Sequence, residues 1–162
     1  MPDFSLERIE TWLEALEERS VHSPLVYYAP TEAHRSLFEA LCQTYLEASD
    51  RERSVIRSAV GDKKGVLNQL LGVVYSSAQQ LRATQDVTWL RIGAAAASMQ
   101  SGHLDYRDFL LALADLYVSA EEAGLDPESE FEVMGIGLPA NFHAYAVVRG
   151  RRSRPQIDKQ GD

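Results

Sequence analysis

Apolar residues recur three and four positions apart along most of the chain, the spacing of one face of an α-helix. Over residues 3–19, Leu6, Ile9, Leu13 and Leu16 share a face with Trp12 beside it, while Glu7, Glu10, Glu14, Glu17 and Glu18 occupy the others. Pro24 and Pro30 then bar a continuous helix, and the apolar Leu25, Val26, Tyr27 and Tyr28 between them predict an extended connector laid over the helices. Thr31 is placed to cap a second helix carrying Leu37, Phe38, Leu41 and Tyr45 and ending near Ala48. Asp50 is placed to cap a third, with Val55, Ile56, Ala59 and Val60 inward and a stop near Gly61. After the Gly61-Asp-Lys-Lys-Gly65 turn, a fourth helix carries Leu67, Leu70, Leu71, Val74, Ala78 and Leu81 on one stripe.

Asp86 opens a fifth helix that is apolar nearly all round apart from Arg91, the pattern of a helix covered on most sides. Gly93 and the four alanines after it remove bulk there and let neighbouring backbones come close. Asp105 is placed to cap a sixth helix, whose inward stripe is Tyr106, Phe109, Leu110, Leu113, Tyr117 and Ala120, with Gly124 beyond its end. Asp126 followed by Pro127 is an N-cap with proline at the first helical position, and this short seventh helix stops at Gly135. No segment alternates with period two long enough to build a sheet. The expected class is all-α, with six to seven helices in antiparallel hairpins. Residues 1–148 form a single helical domain on this reading, and residues 149–162 a basic, disordered tail.

The third and fourth helices, and the fifth and sixth, make two hairpins whose start signals, Asp50 and Asp86, lie 36 residues apart. That period falls in the range of helical-hairpin repeats. In length and apolar pattern, residues 89–124 resemble one HEAT-type hairpin, which implies a right-handed array in which each hairpin stacks on the next. The same helices also close into a compact orthogonal bundle. No repeat signature is matched residue by residue, so the resemblance assigns no functional residue.

Composition narrows the class. The chain has 162 residues, of which 45% are hydrophobic and 25% charged, the balance of a soluble globular domain rather than a collagenous, disulfide-framed or membrane-spanning one. Cys42 is the only cysteine and lies on an apolar stripe, so it reads as a small buried hydrophobe. The acidic amino terminus resembles neither a secretory signal nor a transit peptide, and no apolar run reaches the ~18 residues a span requires. A cytoplasmic protein with no membrane partner is expected. The net charge of −8 is uneven: residues 149–162 carry +3 and the rest −11. An acidic body repels phosphate backbones, so nucleic acid is not an expected partner despite the arginines near the end.

Candidate chemistry is sparse. His22, His34, His103 and His143 are scattered with no metal-ligand spacing, and Glu7/Glu10 and Glu14/Glu17 read as a solvated face, so no metal is expected. The Gly61–Gly65 turn and the Gly135-Ile-Gly137 stretch lack the strand context of phosphate- or dinucleotide-binding loops, and no cofactor is expected. The densest polar cluster is His103, Asp105, Arg107 and Asp108 at a helix entrance, where an imidazole beside two carboxylates and a guanidinium could do acid–base work. Capping and the helix dipole account equally for Asp105 and Asp108. Tyr27 and Tyr28 offer either an aromatic recognition surface or a cover for a groove. The expected function is therefore a non-enzymatic helical protein-interaction module, an adaptor or small regulator. Its candidate surface is Glu7, Glu10, Glu14, Glu17 and Glu18 with Tyr27 and Tyr28, facing a protein with a basic surface. The alternatives are a small enzyme built on the His103 cluster and an acidic inhibitor or immunity-type protein that caps a basic partner.

Overall fold

A computed structural model describes residues 4–20, 32–103 and 106–152. Among them are eight helices and no strand: α1 (Leu6–Ser20), α2 (Glu32–Glu47), α3 (Asp50–Gly61), α4 (Lys64–Thr84), α5 (Val87–Gln100), α6 (Tyr106–Glu122), α7 (Pro127–Met134) and α8 (Phe142–Arg152). The protein is all-α. Tyr27, Tyr28, Asp105 and residues 153–162 of the expected tail lie outside the described residues. One helix exceeds the six to seven expected. This is α8, whose start is anchored by buried Phe142 and Ala146.

Local start and stop signals account for most boundaries, with one correction. The cap of α3 is Ser49 rather than Asp50: Ser49 Oγ accepts from the Glu52 amide at 3.2 Å, and Glu52 Oε1 accepts from the Ser49 amide at 2.9 Å. This reciprocal pair satisfies two donors, where an aspartate one residue later satisfies at most one. As expected, α3 stops at Gly61, and the short turn through Asp62 and Lys63 leads into α4 at Lys64. The glycine also serves packing: a Cβ at position 61 would lie 2.5 Å from Cε1 of His103. The Asp86 and Asp126 caps are as expected, while the expected caps Thr31 and Asp105 lie outside the described residues. Asp86 Oδ1 accepts from the Thr88 amide at 2.9 Å, Asp126 Oδ1 from the Ser129 amide at 3.3 Å, and Gly135 closes α7 at φ 71°.

The middle of the molecule is the pair α4 and α5. Helix α6 packs on both, α1 on α4, and α2 and α3 on α5, while α7 and α8 rest on α6. Leu90, Gly93, Ala94, Ala95, Ala96, Ala97 and Met99 of α5 are all buried, as its all-round apolar pattern requires. A Cβ on Gly93 would stand 2.8 and 2.9 Å from the Leu116 methyls and 3.0 Å from Ser77 Cβ, so three helices converge where α5 has no side chain. A HEAT-type array would make α3 and α4 the tight hairpin. Here α4 packs far more extensively on α5 and α6 than on α3, so these contacts support the bundle rather than the array.

One buried cation ties the periphery together. Arg53 is 7% exposed, and its Nε donates to the Tyr45 carbonyl at 2.9 Å, its Nη2 to the Leu46 carbonyl at 2.9 Å and its Nη1 to the Gly135 carbonyl at 3.2 Å. The guanidinium also sits 5.1 Å from the centre of the Tyr45 ring. It thereby satisfies the end of α2, where carbonyls lack intrahelical partners, and holds the end of α7 beside it.

Two outcomes follow. Gly93→Ala should lower the unfolding free energy by about 1–3 kcal/mol despite alanine's helix propensity, because the added methyl meets Leu116 and Ser77. Unchanged denaturant midpoints would show that α5 is not clamped there. Arg53→Lys should be nearly as damaging as Arg53→Leu, each costing about 3 kcal/mol, because an ammonium cannot reach three separate carbonyls as the guanidinium fork does. Full stability of the lysine variant in urea titrations would disprove that role.

Candidate functional site

The acidic ridge expected on α1 divides in two. Glu7, Glu10, Glu14 and Glu18 are exposed, whereas Glu17 turns inward. Its Oε1 accepts from the Val66 amide at 3.0 Å. Helix α4 begins with Lys63 as N-cap, which offers no side-chain acceptor, so Glu17 caps α4 from another helix and places its charge at the positive end of the α4 dipole. Beside it, Gln69 Nε2 donates to the Leu16 carbonyl at 3.1 Å. One residue read as surface recognition is therefore part of the α1–α4 joint.

The described members of the His103 cluster are all exposed. The His103 ring lies over Gly61, and Arg107 and Asp108 are engaged with neighbours. None of them lines any of the three grooves described below. Cys42 is fully buried, and burial, helped by the charge of Glu39, pushes its thiol up to about 12, so the thiolate that reacts with electrophiles is suppressed. Among the described residues no group of three or more His, Cys, Asp or Glu side chains is arranged to hold a metal ion, and no helix is long and apolar enough to cross a membrane.

Three concavities differ sharply in size. A cleft of about 80 Å³ lies between α1 and the α2–α3 corner, under Trp12, and another of about 130 Å³ lies where Phe38, Trp89 and Ile92 meet. The third, of about 920 Å³, is an open groove between α7 and α8. Its floor is Phe131, Ile136, Leu138 and Phe142, and its rim carries Asp126, Glu128, Glu132 and His143, with no lysine or arginine in the lining.

Behind the rim, Tyr117 of α6 organises the polar groups. Its hydroxyl donates to Glu128 Oε2 at 3.0 Å and lies 3.0 Å from His143 Nδ1, and that nitrogen is 3.4 Å from Glu121 Oε2. The ring is gripped edge-on by Phe142, with centroids 5.5 Å apart. Desolvation raises the Tyr117 pKa well above the ordinary phenol value, reinforced by the hydrogen bond to Glu128 and the nearby carboxylates, so the hydroxyl keeps its proton. Sequence reading passed over this cluster. Its visible sign was a short helix with Glu128, Glu130 and Glu132 and no base, but His143 joins it only through the docking of α8.

Comparison of the chain with models of protein families, with curated proteins and with solved structures finds no match.

The Glu17 cap has a measurable consequence. Glu17→Ala should cost about 1 kcal/mol, the usual value of a lost cap, while Glu17→Gln, which keeps an acceptor oxygen, should retain most of that stability. Equal urea midpoints for wild type and Glu17→Ala would return this residue to the surface ridge.

Proposed function

We propose that this protein is a non-enzymatic helical interaction module, an adaptor or small regulator, whose partner-facing surface is the groove between α7 and α8. One observation carries the reading: the largest of the three concavities described above is open rather than enclosed, apolar on its floor and acidic on its rim. Small-molecule sites usually bury most of their ligand in a cleft, whereas an exposed apolar strip rimmed by polar groups is the ordinary form of a protein-binding surface. The acidic ridge of α1 lends the same molecule a field that attracts a basic partner.

A photo-reactive amino acid placed at Leu138 of the full chain, with another at Glu10 on the α1 ridge for comparison, tests this in the native host. The Leu138 position should cross-link to a discrete partner protein. Cross-links from Glu10 alone would move the surface to α1, and the absence of any protein adduct from both positions would reject the module.

A further inference from the structure

The carboxylates of Asp126, Glu128 and Glu132 can only accept hydrogen bonds in their ionised form. The fourth rim group, His143, is brought to the same role by its neighbours. A phenol has one proton, and Tyr117 gives its own to Glu128. Tyr117 must therefore meet His143 Nδ1 as an acceptor, which puts a proton on Nδ1, and the Glu121 carboxylate on the same nitrogen favours that placement. In the neutral imidazole this leaves Nε2 as a bare acceptor. Glu132 is exposed and has no partner among the described residues. Ser129 and Asn141 are the other polar lining residues, and both can donate or accept. The rim thus offers acceptors and negative charge, and the floor beneath it offers apolar surface.

We infer that this groove takes a segment of a partner protein that presents a lysine or arginine beside an apolar side chain, the cation among the rim acceptors and the apolar group on the half-buried Ile136 and Leu138. The inference rests on the interaction-module reading above and adds the chemistry of the partner to it. A guanidinium or ammonium supplies only donors, which matches a rim of acceptors, and its charge complements three carboxylates with no lysine or arginine among them. An acidic or phosphorylated segment would meet like charge at every one of those carboxylates.

The test uses the full-length protein and three fluorescent peptides of equal length and equal leucine content, one with lysine, one with serine and one with glutamate at the polar positions. Anisotropy titrations are run at ~0.15 M salt, where charges more than ~8 Å from the bound peptide are largely screened. The lysine peptide should bind about tenfold more tightly than the serine peptide, and the glutamate peptide should bind least. Glu132→Lys should weaken the lysine peptide about tenfold, whereas Glu10→Lys on the remote α1 ridge should change it by less than about twofold. Glu132 is exposed, and an unchanged circular-dichroism melt confirms that its substitution leaves the fold intact. Equal affinity for all three peptides, with the Leu138 cross-link to a partner retained, would overturn the cationic segment and leave the module reading standing. Equal losses from Glu132→Lys and Glu10→Lys would reduce the effect to diffuse charge and overturn the inference. A photo-cross-link from Leu138 to this chain's own arginine-rich end, in place of the peptide, would overturn a partner as the occupant.

Discussion

A helix with an unbroken run of small residues, as α5 has from Gly93 to Ser98, can be buried there only if its neighbours come close enough to fill the space its side chains leave. That constraint sets the position of everything around α5. At Gly93 the approach is close enough that Leu116 of α6 and Ser77 of α4 occupy the volume a methyl group would need. Dispersion falls off steeply with distance, so this contact is worth having only at near-native packing density. With Leu116 seated there, the next residue, Tyr117, faces α7 and α8, where its ring meets Phe142 and its hydroxyl meets Glu128 and His143. The polar cluster at the groove is therefore positioned from the core outward, by one leucine against one glycine.

The floor of the groove has a second support at its other end. Arg53 has no carboxylate within ion-pair distance among the described residues, and its charge is met by three backbone carbonyls and a tyrosine face. Two of those carbonyls belong to the last turn of α2, where the helix dipole is negative, which offsets part of the cost of burying the cation. The third belongs to Gly135, immediately before Ile136 on the groove floor. The left-handed φ of 71° that lets Gly135 end α7 also turns its carbonyl to the guanidinium. Removing Arg53 would take a donor from backbone carbonyls in two distant parts of the chain at once.

What could be read in the sequence was what neighbours in sequence determine. The helical class, the burial of α5, the Asp86 and Asp126 caps and the stop at Gly135 all depend on residues within one turn of each other. The misreadings share a different character. Ser49 outcompetes Asp50 because Glu52 sits at the spacing that reciprocates it, a local signal that was present and overlooked. Gly61 does end α3, yet its lack of a side chain also answers to His103, over forty residues away. Glu17 looked like surface charge, yet its partner is the amide of Val66 on another helix. The groove was the least legible feature, because it exists only once α8 has docked on α6, and nothing in the local pattern of residues 142–152 says where that helix lands.

The distribution of acidic residues separates two surfaces that the net charge alone had merged. Some carboxylates are consumed by the fold: Glu17 caps α4, and Asp115 pairs with Arg82 at 3.1 Å while Ser119 donates to its backbone carbonyl at 2.7 Å. Glu130 lies 3.9 Å from Arg91, an exposed and weak pairing. Among the others, those of the α1 ridge have charge without a large concavity beside them, and those of the α7–α8 rim have both. Long-range charge chiefly accelerates encounter, while the burial of apolar groups in a shaped site slows dissociation. A ridge of exposed glutamates can thus draw a basic partner toward the molecule but has little means of retaining it. The groove, with Phe131, Ile136 and Leu138 beneath its carboxylates, has the means to do both, so substitutions on the ridge and in the groove should separate in kinetics, the first acting on association and the second on dissociation.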